Sequence, residues 1–290
     1  MSAVALLIVL IAAFVHAGWN LLAKKSNNKL VFFWWFLLIA SIIYFPMFLY
    51  FWSPGTISMQ GWSCIFATGV IHALYFWLTA GAYERGDLSL VYPLARGSGP
   101  LLVPILAVIL LDEKLSMMGI AGIALVIFGI YSIHLQSFSI HSYLAPLRSA
   151  PQSASLWAFS TGFTIAGYSL VDKIGVQVVF PPLYIYLMFA ISLLLLSPIV
   201  VIRHSPAIKT EWQVNKAFIL INGILVLATY LMILFAFQIS KVSYVVATRE
   251  VSIVFSAIFG IVALREKNAG QKIVGSVLIT LGVAVIGFSK

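Results

Sequence analysis

Apolar residues run in long blocks along this chain, and polar residues gather in the short gaps between them. Read block by block, the pattern predicts ten helical spans, at roughly 3–22, 31–52, 62–82, 88–111, 116–134, 155–172, 181–202, 217–238, 243–264 and 270–288. About 20 apolar residues in a helix rising 1.5 Å each cross the roughly 30 Å hydrocarbon layer of a bilayer. The longest gap, from Gln136 to Ala154, holds Ser, His, Pro and one Arg, and it falls after the fifth block. Every other connection is about a dozen residues or fewer, so no soluble domain fits between spans.

The central gap divides a repeat. "AGWNLLAK" at 17–24 aligns with "AGYSLVDK" at 166–173, and "LLDEK" at 110–114 with "ALREK" at 263–267. "GIALVIFG" at 122–129 then aligns with "GSVLITLG" at 275–282, a glycine pair of identical spacing, and at this offset Arg96 falls on Arg249. Four matches in one order indicate duplication: a first five-helix repeat over 1–135, a connecting loop over 136–153 and a second repeat over 154–290. Five helices is an odd number, so the second half enters the membrane from the opposite side. The expected fold is therefore all-α, ten transmembrane helices as a 5+5 inverted repeat around a central cavity. Inverted repeats recur in secondary transporters, with the substrate site near midplane between the halves. Channels and membrane enzymes contain repeats too, but ten helices without a soluble domain favour a carrier.

Composition agrees. Of 290 residues 62% are hydrophobic and 9% charged, with mean hydropathy +1.07, whereas soluble domains carry about 25% charge. The 8 Trp, 12 Tyr and 21 Phe suit lipid-facing and interfacial belts. The formal charge of +9 sits mostly in short loops, where topology and anionic headgroups account for it, and no basic face with interleaved aromatics suggests nucleic acid. Cys64 is the lone cysteine, which excludes an intrachain disulfide and a cysteine metal site. The first block lacks a basic n-region and a small-x-small cleavage site, so it reads as a retained helix.

The stretches "HAGWNLLAKK", "AYERGDLSLVYPLARGSGPLLVPILAVILLDEKLS" and "VVATREVSIVFSAIFGIVALREK" resemble the drug/metabolite transporter superfamily, specifically its EamA-type ten-helix members. The likeness covers nearly the whole chain. Its best marks are the fourth and ninth blocks, each ending in an acidic-basic turn (Asp112-Glu113-Lys114 and Arg265-Glu266-Lys267) before a glycine-spaced helix. The resemblance implies a basket of helices from both halves around a central cavity, working by alternating access. Members move amino acids, nucleotide precursors, drugs and sugar phosphates, so the family speaks strongly to fold and weakly to substrate.

One stretch, "YPLARGSGPLLVP" at 92–104, sets an arginine, two glycines and three prolines within an apolar block. A charge at the centre of a membrane helix costs at least about 2.5–3.5 kcal/mol to insert, so it usually faces the interior. Arg96 is about 12 Å into its span and Arg249 about 9 Å into its own, so both also lie within snorkelling reach of an interface. Inversion lets both reach one cavity. Gly97 and Gly99 permit close approach, and Pro100 removes the hydrogen bond to the Arg96 carbonyl, which predicts a weakened, pocket-lining fourth helix. Glu250 follows Arg249 about 100° round the helix, so only one of the two should face the cavity centre. Glu250 is read either as an arginine's ion-pair partner or as a proton carrier.

His16 and His72 are candidates for a proton relay or for hydrogen-bonded helix glue. Trp19 and Asn20 in the first span match Tyr168 and Ser169 in the sixth, and such pairs suit either a pocket wall or helix packing. Tyr92, Tyr230 and Tyr244 are further candidate lining residues. Lys24 and Lys173 read as snorkelling anchors.

Two inward arginines favour an anion, since guanidinium pairs bidentately with carboxylate or phosphate. The plastid sugar-phosphate translocators, distant superfamily relatives, likewise place basic residues on helices four and nine. The substrate is therefore expected to be a small polar metabolite, anionic or zwitterionic. Its carrier would be a multi-pass protein of the cell (inner) membrane, monomeric or homodimeric. No nucleophile–base pair, phosphate loop or metal-ligand cluster is legible, so no enzyme activity and no cofactor is expected. The alternatives are a proton-coupled amino-acid or multidrug exporter and, in another class, a membrane scaffold or lipid-handling subunit. Apart from Arg96 and Arg249, Lys and Arg number 11 on one side and 4 on the other, which places both termini outside. The EamA resemblance implies cytoplasmic termini.

Overall fold

A computed structural model describes residues 1–24, 26–85, 88–133, 152–264 and 269–289; within these, the side chains of 19–24, 88–93, 152–153, 259–264 and 269 lie outside the description. The described residues form helices and no strand: α1 Ala3–Lys24, α2 Lys29–Ile43, α3 Phe45–Phe51, α4 Met59–Arg85, α5 Leu88–Leu111, α6 Met117–Ile133, α7 Gln152–Val178, α8 Pro181–Arg203, α9 Ser205–Ile239, α10 Val242–Arg249, α11 Val251–Leu264 and α12 Ala269–Phe288. They group into ten blocks, with α2 and α3 sharing one and α10 and α11 another.

Among the described residues, five helices are individually long and apolar enough to cross a bilayer, and the bent α2–α3 pair makes a sixth. The α2–α3 bend is 47°, and it falls just before Pro46, which lacks the N–H needed to continue the hydrogen-bond ladder. Val4, Leu7, Ile11 and Phe14 form an exposed stripe at helical spacing on α1, as do Ile273, Val277 and Leu281 on α12. Such faces suit lipid. The interior instead collects Ser, Thr, Tyr and several charged groups.

The glycines show how the halves meet. A Cβ on Gly122 would lie 2.8 Å from the Gly282 carbonyl, and one on Gly282 2.6 Å from the Gly122 carbonyl. Gly129 and Gly275 repeat the relation, at 2.8 and 2.6 Å. Each glycine thus touches the counterpart of the other, the reciprocity that a two-fold axis produces. Small residues let α6 and α12 approach backbone to backbone. A second matched pair lies away from that axis. A Cβ on Gly69 would meet Ile191 Cγ2 at 2.6 Å and the Met188 carbonyl at 3.3 Å; one on Gly223 would meet Ile39 Cγ2 at 2.5 Å and the Phe36 carbonyl at 3.3 Å.

Polar side chains finish the helix ends. Asp112 adopts φ 51°, a left-handed value that Asp tolerates, in the turn that follows α5. The next carboxylate, Glu113, accepts from Val242 N at 2.6 Å and Ser243 Oγ at 2.6 Å, capping α10 of the other half. Lys173 donates to the Phe237 carbonyl and, at 2.9 Å, to that of Ser240. It therefore caps the C-terminal end of α9 and is not a lipid-facing anchor. The sixth span also runs past residue 172 to Val178, because Asp172, Lys173 and Gln177 find partners inside the bundle.

Candidate functional site

The centre of the bundle holds charge. Arg96 on α5 is 6% exposed, Arg249 4% and Glu250 1%. Arg96 Nη2 stands 3.0 Å from Glu250 Oε2, and Arg249 Nε stands 3.9 Å from Glu250 Oε1. One carboxylate therefore bridges two guanidiniums, leaving the trio with one net positive charge. Arg249 Nη2 also donates to the Tyr168 hydroxyl at 3.4 Å.

The backbone tightens where Arg249 and Glu250 meet. The ninth span is broken at Glu250, where Glu250 N turns back to the Ala247 carbonyl at 3.2 Å and Ile253 N to that of Glu250 at 2.9 Å. Consecutive side chains leave an α turn about 100° apart and this tighter turn about 120° apart, so the length of both side chains is what lets them join one ion-pair group. Polarity suits the break as well: the basic residue ends α10 and the acidic residue precedes α11, as the helix dipoles favour. Discontinuous spans at midplane are the form that ion and substrate sites take in inverted-repeat carriers.

The weak helix was expected in the fourth span, but α5 is continuous through Pro100. Its glycines serve packing. A Cβ on Gly99 would meet Ile165 Cγ2 at 2.8 Å and one on Gly97 would meet Tyr131 Cε2 at 3.3 Å, while Gly162 of α7 rests on Ser98. Close support from α7 and α6 holds the helix where proline weakens it.

An aromatic group adjoins the arginines. His72 stacks on Tyr168 with ring centres 4.2 Å apart, and Tyr230 meets both rings edge-on at 5.4 and 6.0 Å. His16 lies within electrostatic reach of both arginines. His16 and Tyr230 are half-buried.

Of the other candidate lining residues, Ser169 donates to its own helix at the Ile165 carbonyl, 2.7 Å away. Tyr244 stands apart from the arginines: its hydroxyl sits over Gly119 and accepts from Ser116 N at 3.2 Å, tying α10 to the start of α6. The side chains of Trp19, Asn20 and Tyr92 lie outside the described residues.

Sequence reasoning passed over one group. Asp172, fully buried on α7, accepts from Thr68 Oγ1 at 2.5 Å, from Tyr184 Oη at 2.9 Å and from Tyr230 Oη. Thr68 spends its only hydroxyl proton on Asp172, so the 3.0 Å contact with His72 Nδ1 places the imidazole proton on Nδ1. The available signal was an acid between "AGYSLV" and a lysine, taken for the end of a span because the apolar block stops there.

These features define a membrane carrier of two inverted five-helix repeats with charged residues at the centre. The sequence matches the EamA-like transporter family twice, over residues 3–135 and 152–288, and the chain belongs to that family. It is thus a membrane transporter of the drug/metabolite transporter superfamily, a family of transporters and not of enzymes. No curated protein matches. Among solved structures, one described only as "Crystal structure of protein" aligns with TM-score 0.74 and 15% identity, over 98% of this chain and 96% of its own.

Proposed function

We propose that the protein is a secondary carrier, working by alternating access in the cell membrane, for a small polar metabolite bearing a carboxylate or phosphate. Arg96, Arg249 and Glu250 form the centre of the site, with Tyr168, His72, Tyr230 and His16 around it. The observation that carries this reading is the shared carboxylate: two guanidiniums with one acid between them keep a net positive charge inside the bundle. An anionic substrate group meets that charge with bidentate hydrogen bonds, and a zwitterion also finds Glu250 for its ammonium. Releasing the substrate leaves Glu250 shared between both arginines, which offsets one of their two charges as the empty carrier changes sides.

Ligand-induced thermal stabilisation of the purified protein tests the reading. Across a panel of amino acids, organic acids, sugar phosphates and lipophilic cations, anionic or zwitterionic members raise the melting temperature of the wild type. Arg249→Ala loses that response. Stabilisation by lipophilic cations alone contradicts the assignment.

A further inference from the structure

We propose that Asp172 is a proton-binding site of this carrier, separate from the arginine-bound substrate site. The proposal rests on the carrier reading for its role in transport, but its test needs no substrate.

Asp172 is a carboxyl group inside a membrane span, with no exposed surface and three hydroxyl donors. Among the described residues, the groups facing it are these. From α4 come Thr68, His72 and, more distantly, Cys64; from α8, Tyr184; from α9, Tyr230; from α10, Arg249, which acts through space. Across α5, Arg96 is engaged with Glu250. On α7 itself Tyr168 stacks on His72, and Lys173 turns away to cap α9. Among these described groups no cation lies at hydrogen-bond distance from the carboxyl.

Glu250 shares its charge with two arginines, whereas Asp172 meets only neutral donors. Its surroundings fit both protonation states. The anion accepts three hydroxyl bonds; the acid donates its own proton to a Tyr or Thr oxygen, each of which has free lone pairs. A carboxyl that can change its charge without an ion-pair partner is the arrangement that proton relays use in membrane carriers. The repeat adds to this. The position matching Asp172 in the first half is Ala23, so duplicated packing does not require an acid here.

Contact runs from this group to the substrate site. Thr68 bonds both Asp172 and His72, His72 stacks on Tyr168, and Tyr168 accepts from Arg249. Tyr230 bonds Asp172 and meets the Tyr168 ring edge-on. A proton gained at Asp172 changes which way these hydroxyls point, and so alters the donors presented to whatever Arg249 holds.

The test is infrared difference spectroscopy of the protein in lipid nanodiscs, titrated from alkaline to acidic pH without substrate. The expected result is a protonated-carboxyl C=O band that is absent in Asp172→Asn and present in Glu250→Gln. Tyr230→Phe and Thr68→Val each remove one donor and displace the band, which provides a readout should Asp172→Asn fail to fold. A band that survives in Asp172→Asn overturns the proposal, as does one that disappears in Glu250→Gln. An unmoved band in both Tyr230→Phe and Thr68→Val also overturns it. None of these results depends on whether anions bind at Arg249, so the two proposals fail separately.

Discussion

Arg96 shows what a single charged side chain can and cannot announce from sequence. Its depth in an apolar block marked it as a residue with an interior role, and symmetry paired it with Arg249. Its bond to Glu250 was one of two open readings, because partner choice depends on how span nine breaks. Removing one member of a buried ion pair strands the other, at a cost of about 3–5 kcal/mol. Arg96→Met is therefore expected to lower thermal stability sharply in detergent, while the double variant Arg96→Met/Glu250→Gln recovers much of the loss. Additive losses in the double-mutant cycle would show that the pair is not coupled. Gly175 is a second test at this scale. A Cβ there would lie 2.3 Å from Tyr184 Cε2 and 2.6 Å from its hydroxyl, so the glycine lets that hydroxyl reach Asp172. Gly175→Ala is expected to cost about 1–3 kcal/mol by overpacking and to displace the Asp172 carboxyl band. An unchanged melting temperature and spectrum would show that Tyr184 is free to move aside.

Among elements, the glycine-spaced helices were the most legible. The matched spacing of Gly122–Gly129 and Gly275–Gly282 revealed the duplication, and the structure shows those same residues in mutual contact. Less legible were the two ends of the sixth and ninth spans. Hydropathy cannot distinguish a helix that stops from one that continues with its polar residues satisfied by neighbours, which is how Asp172 was missed. Nor can it show the tightened turn at Glu250, which reads as helical in sequence. The glycine contact makes a quantitative prediction. Gly129→Ala is expected to destabilise by roughly 1–3 kcal/mol, because the methyl group meets backbone that cannot yield. Gly270→Ala, with nothing within 4 Å of its Cβ, is expected to be neutral or to gain up to about 1 kcal/mol from helix propensity. Thermal unfolding of both variants measures the difference; equal melting temperatures would argue against the tight α6–α12 seam.

At the scale of the molecule, reciprocal glycine seams join α6 to α12, and Glu113 of the first half caps α10 of the second. The proposed alternating access would have such halves rock about a central site. On that proposal Glu250 offsets one of the two arginine charges when the carrier is empty, and an anionic substrate offsets the other when it is loaded. Fold and family were within reach of the sequence because periodicity, repeat and loop length all constrain a membrane chain heavily. Substrate chemistry was not within reach of the sequence, since a solute is chosen by side-chain geometry that no spacing rule encodes.

The most direct measurement of the central claim is substrate counterflow in proteoliposomes. Vesicles are preloaded with an unlabelled anionic or zwitterionic metabolite identified by thermal stabilisation, and entry of the same labelled compound is followed. Wild-type protein is expected to show transient accumulation, and Arg249→Ala protein of normal fold and insertion is expected to lose it. Equal accumulation by wild type and Arg249→Ala would contradict it.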